Sequence, residues 1–141
     1  MSTAQNKAIV RRMYEVDYSQ GLEQTFKKLK AEFFSTEFIS HTPEGDMSFD
    51  NFIKVVGTLF KAFPDLKFTL DDLIAEGDKV SARYTMSGIH KGKFQGIPAT
   101  GKKIKINGLE IRRMDGGKFV EYWGIMDNFG MMQQLGAMPK S

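Results

Sequence analysis

The chain changes its repeat at Pro64, and that change constrains the fold more than any other feature. Upstream, apolar residues recur at helical spacing. Ser2 or Thr3 can cap a first helix running to about Ser19, with Ile9, Val10, Met13, Tyr14 and Asp17 near one face, and Gly21 stops it. Leu22, Phe26, Leu29 and Phe33 mark a second helix, and "EFISHTPEG" reads as an irregular connection. Ser48 caps a third helix carrying Phe49, Phe52, Ile53, Val56, Leu59, Phe60 and Phe63, which Pro64 ends. Downstream the period is two. "DLKFTLDDLIAE" and "KVSARYTMSGIH" form a hairpin around Gly77-Asp78, with Asp72 opposite Arg83 as a cross-strand ion pair. "KKIKINGLEIRRM" and "KFVEYWGIMD" form another around Asp115-Gly116-Gly117, where Glu121 faces Arg112 or Arg113 depending on the turn. A short helix, about Phe129 to Leu135, follows. Helices first and antiparallel strands after predict an α+β fold. Gly88, Gly92, Gly96, Gly108 and Gly124 are candidate bend positions for a sheet curved around the helices with a pocket between the layers.

The 141 residues, 1–141, fit one domain. The net charge of +3 comes from 20 basic residues spread among 17 acidic ones, and the densest basic group is Lys102, Lys103 and Lys105. Those lysines read as a solvated strand edge, so no nucleic-acid partner is expected. With no cysteine, disulfides, thiolate metal sites and cysteine nucleophiles are excluded. "MSTAQNKAIVRRMYE" has no apolar leader, and the uncharged run from Asn128 to Pro139 is too short to span a bilayer. The expectation is a cytoplasmic protein without a membrane partner.

Few motifs survive inspection. "GIPATGKK" has the glycines and Lys102 of a phosphate loop, but strands flank it and Lys103 stands where Ser or Thr would bind magnesium. The two histidines, His41 and His90, lie on separate elements, and no HExxH occurs, so no metal is expected. The charge that demands explanation is Asp127, set between Ile125-Met126 and Phe129 in "VEYWGIMDNFGMMQQLG". It is either the N-cap of the last helix or an acid/base group whose pKa an apolar pocket raises. Met86, Met114, Met126, Met131 and Met132 suit an adaptable apolar cavity.

Taken in order, Phe63-Pro64-Asp65, Gly77-Asp78, Gly88 with His90 and Gly92, Gly96 with Pro98, Thr100 and Gly101, Arg113, Gly117-Lys118, Glu121 with Trp123, Asp127, and Gln134-Leu135-Gly136 form a pattern. It resembles that of the SnoaL-like polyketide cyclases, or ester cyclases, of the nuclear-transport-factor-2-like superfamily. The match covers residues 63 to 136, with His41 matching a recurrent pocket histidine. The resemblance implies a cone-shaped fold, a bent mixed sheet wrapped around N-terminal helices that enclose a pocket. It also implies Asp127 as general acid/base and a homodimer through the sheet. The implied reaction is a cofactor-free intramolecular aldol condensation, or related acid/base chemistry, on a small hydrophobic carbonyl compound. His41 and His90 are the candidate catalytic partners. Trp123, Asn107, Phe129, Met126, Ile125 and Met86 are the candidate ligand-binding residues. Two alternatives stay open: an epoxide hydrolase-like or isomerase-like enzyme, the former needing Asp127, Asn107 and Arg83 to hold a water, and a non-catalytic carrier of a hydrophobic ligand.

Overall fold

The two hairpins close as their turn residues dictate. In the computed structural model, which describes residues 1–137, β3 (Lys67–Glu76) and β4 (Lys79–Ile89) meet through Gly77-Asp78, with Asp72 paired to Arg83. β5 (Lys103–Asp115) and β6 (Lys118–Met126) meet through Gly116-Gly117, both with positive φ, as a two-residue hairpin turn of this kind requires. A bulge between Arg113 and Met114 sets Arg113, not Arg112, opposite Glu121. The end of the uncharged run, Met138 and Pro139, lies outside the described residues.

The helices are α1 (Thr3–Tyr14), α2 (Leu22–Phe33), α3 (Phe49–Ala62) and α4 (Asn128–Leu135). Ser2 and Gln5 form a capping box at α1, and Ser48 accepts from the Asn51 amide at α3. The first helix ends at Tyr14, well short of Ser19. Gly21, expected to stop it, is instead the N-cap of α2.

One expectation fails outright. The stretch read as an irregular connection is strand β1 (Phe34–Thr42), which turns into β2 (Gly45–Ser48). β1 lies parallel to β6, giving the order β2-β1-β6-β5-β4-β3. The result is the curved mixed sheet of an α+β fold. Its concave face meets the helices. One apolar cluster joins Val10, Phe33, Phe34 and Phe49 to Val80 and Phe119, and a second joins Leu59, Phe63 and Met131 to Met86, Ile104 and Ile106. Among the described residues no helix is long and apolar enough to cross a membrane.

Candidate active site

Between the two apolar clusters lies a cavity of about 650 Å³. Helices α1, α2 and α3 roof it with Met13, Tyr14, Phe26, Phe52 and Leu59. The concave face of β4, β5 and β6 floors it with Tyr84, Glu110, Arg112 and Tyr122. The exposed residues Glu44, Lys67 and Asn128 mark its mouth.

The floor carries a buried polar cluster. Glu110 is 4% exposed and Arg112 5%. Arg112 Nε donates to Glu110 Oε1 at 3.0 Å and Nη2 donates to Oε2 at 3.1 Å, a bidentate pair from one strand. The Tyr14 hydroxyl, from α1, donates to Glu110 Oε1 at 2.6 Å. The Arg112 guanidinium lies 4.6 Å from the Phe119 ring centroid and 4.9 Å from that of Tyr122. Its Nη1 has no partner among the described residues. Burial, and after it the charge of Glu110, raises the Tyr14, Tyr84 and Tyr122 hydroxyl pKa values, so all three stay protonated in ordinary buffers. Burial opposes the charge on Arg112. The attraction and hydrogen bonds of Glu110, with help from Tyr122 and Tyr14, outweigh it and leave the guanidinium pKa raised.

Two glycines make room for this cluster. A side chain at Gly108 would overlap the Tyr84 ring and hydroxyl, and one at Gly124 would overlap the Tyr122 hydroxyl. These positions, read from the sequence as bends, are gaps that tyrosine hydroxyls fill.

The residues singled out from sequence are scattered. Asp127 is exposed and caps α4, accepting from the Gly130 amide at 2.8 Å. It does not line the cavity, although Met126 and Asn128 on either side do. The apolar enclosure that its sequence neighbours suggested is therefore absent around this carboxylate. His41 stands on the other face of the sheet, stacked on Trp123 with centroids 4.9 Å apart. Its Nδ1 lies 2.8 Å from Asp46 Oδ1 and its Nε2 2.7 Å from Glu121 Oε2. Glu121 in turn pairs with Arg113. His41 is nonetheless among the residues that line the cavity.

His90 is fully buried in the second cluster, 5.4 Å from the Phe63 ring, and lines no cavity wall. Its Nδ1 accepts from the Thr100 amide at 3.2 Å, which puts the ring proton of the neutral form on the unpartnered Nε2. His41, His90 and Asp127 are thus not brought together. Met126 and Ile125 do border the cavity, Ile125 at its rim and 69% exposed. Trp123, Asn107, Phe129 and Met86 do not: Phe129 is 61% exposed, Met86 is packed in the core, and Asn107 sits on the outer face beside Thr85. Arg83 is held by Asp72 at 2.7 Å on that outer face, so the trio that would hold an epoxide-opening water is not assembled.

The model of SnoaL-like polyketide cyclases matches residues 8–135. The chain belongs to that family. Solved structures agree in fold across nearly the whole chain. AclR from Streptomyces galilaeus, described as a candidate hydroxylase, is 27% identical; the match covers 99% of this chain and 86% of AclR, with a TM-score of 0.85. TsrD from Streptomyces laurentii is 28% identical over 98% of this chain and 99% of its own, TM-score 0.80. IdmH from Streptomyces antibioticus, described as a candidate polyketide cyclase, is 27% identical over 94% of this chain and 99% of its own, TM-score 0.77. A search of curated proteins returned no match. Within this SnoaL-like chain, the buried cluster around Glu110 is the feature that sequence reasoning missed.

Proposed function

We propose that this SnoaL-like protein binds a small hydrophobic carbonyl compound in the cavity and acts on it by cofactor-free proton transfer of the aldol-cyclase type. Glu110 then takes the role that the sequence reading gave to Asp127. One observation carries this reading: Glu110 is the buried carboxylate on the cavity floor, while Asp127 is spent on a helix cap outside the lining. Glu110 removes a proton from carbon next to a carbonyl, and the electron pair moves into an enolate. The enolate attacks a second carbonyl of the same molecule, and the proton returns to the new alkoxide. The apolar walls keep water from competing.

A carrier is the second reading, favoured by a specific observation: both Glu110 oxygens already accept from Arg112, and Oε1 also from Tyr14. Deuterium uptake separates the two. An enolisable bicyclic ketone is incubated with protein in heavy water, and exchange beside its carbonyl is followed by NMR. Exchange with wild type that Glu110→Gln loses and Asp127→Asn keeps supports the enzyme, provided melting shows both variants folded. Binding without exchange supports the carrier. Loss in Asp127→Asn alone returns the role to Asp127.

The protein also forms a homodimer through its outer sheet face in this proposal. Ile74, Ile111 and Trp123 lie in one cross-strand row, and Leu109 faces Ile125 in the next. Ile74, Leu109, Ile111 and Ile125 are 68%, 49%, 42% and 69% exposed, an apolar patch suited to a second copy.

A further inference from the structure

We propose that the Tyr84 hydroxyl is the donor that receives the ligand's oxygen, and that this makes the cavity selective for uncharged carbonyl compounds over carboxylates. The inference rests on the reading of the cavity as the ligand site and adds what kind of ligand it accepts. Three tyrosines surround the floor, and they are not equivalent. The Tyr14 proton is committed to Glu110 at 2.6 Å. Tyr122 stands close to Glu110, whose charge, after burial, raises its hydroxyl pKa. The Tyr84 hydroxyl has no partner among the described residues, although the residue is only 4% exposed and lines the cavity.

Its position is fixed on every side. The ring packs 6.1 Å from Tyr14 and 5.7 Å from Phe68, and the hydroxyl is seated over Gly108, its cross-strand neighbour. A hydroxyl so held on the cavity wall, with no acceptor among the described residues, is placed to donate to an oxygen of whatever occupies the cavity. The phenol stays protonated, because burial and the charge of Glu110 both oppose its ionisation. It is therefore a donor, and the group it awaits is an acceptor oxygen. The unpartnered Nη1 of Arg112 is a second donor on the same floor.

Charge decides which acceptor. Arg112 is already matched by Glu110 in a bidentate pair, so the floor is neutral overall. A ligand carboxylate would bring a second anion beside Glu110, itself only 4% exposed, where like charges repel strongly. A ketone, ester or quinone oxygen accepts from Tyr84 without that cost. If the ligand is enolised, the same donor meets the charge that develops on its oxygen.

Three probes of nearly equal shape test this: acetylnaphthalene, ethylnaphthalene and naphthoate, titrated calorimetrically into wild type and Tyr84→Phe. Wild type should bind the ketone about three- to tenfold more tightly than the hydrocarbon, the span expected of one net hydrogen bond. Naphthoate should bind more weakly than the ketone. Tyr84→Phe, which keeps the ring, should bind ketone and hydrocarbon alike. Equal binding of ketone and hydrocarbon by wild type overturns the assignment, as does tighter binding of naphthoate or an unchanged ketone preference in Tyr84→Phe. Failure of all three probes to bind wild type overturns the cavity as a ligand site and the assignment with it. Binding of all three equally overturns only the assignment.

Discussion

At the scale of single residues, Asp127 and Glu110 have the opposite exposure to the one local pattern suggests. Asp127 looks buried because its neighbours are apolar, but Ile125 and Phe129 turn out to solvent and the carboxylate closes the first turn of α4. Asp127→Ala should therefore cost about 0.5–2 kcal/mol of stability in urea unfolding, and Asp127→Asn almost nothing, since asparagine caps as well. Glu110 looks exposed because charged residues in a strand usually are. Removing it leaves Arg112 buried without its counter-charge, so Glu110→Ala should cost about 3–5 kcal/mol. Replacing the pair together, Glu110→Leu with Arg112→Met, should cost clearly less than the single change in the same assay. The parity of β5 held the signal. Residues 104, 106, 108, 110, 112 and 114 share a face, and Ile104, Ile106 and Met114 declare it the inner one. Reading each half of the strand by its local apolar residues, Leu109 and Ile111, points the other way. A strictly constant period identifies Glu110 and Arg112 as inward, but not their partner Tyr14, which comes from a distant helix.

Among elements, those with local causes were legible: both hairpins, the Ser48 cap, and the helix that ends before Pro64. β1 was not, because its pattern is weak and its main partner, β6, is remote in sequence, with 80 residues separating His41 from Glu121. The β1–β2 hairpin is tied to β6 by His41, whose imidazole bridges Asp46 and Glu121. The hydrogen bond to Glu121, then that to Asp46, raises the His41 pKa. The stabilisation it contributes is thus complete below the ordinary histidine value of about 6.5 and is lost as pH rises through the raised value. Arg113 first, then His41, lowers the Glu121 pKa, so its share is present above the ordinary value of about 4.3 and is lost as pH falls through the lowered one. The clasp is complete between those two ordinary values. The melting temperature should decline as pH is taken from about 6 to about 9, and His41→Gln should flatten that part of the profile. A wild-type profile that does not differ from the variant's would remove the clasp.

For the whole molecule, the α+β class and the cone-like wrapping of sheet around helices follow from the change of period at Pro64 together with the family pattern. The outer face follows from neither, since its exposed apolar rows become visible only once strand register is known. If that face joins two copies, Leu109→Lys with Ile111→Lys should convert a dimer to a monomer in light scattering while leaving ketone binding in the cavity intact. A monomeric wild type at the same concentration would dispose of the dimer. The parallel seam between β1 and β6 has a further consequence, one of timing. The β3–β4 and β5–β6 pairs close over two-residue turns, whereas the seam must wait for the entire helical half to be in place, because distant contacts repay their loop entropy only after local ones exist. The seam should be late to assemble and early to part. Amides of β1 and β2 should then exchange with solvent through openings smaller and more frequent than those that expose β4 and β5. Since β1 and β2 also line the cavity, a transient parting of that one seam would, if the cavity takes a ligand as proposed, give a bulky guest a way in while the remaining strands stay folded.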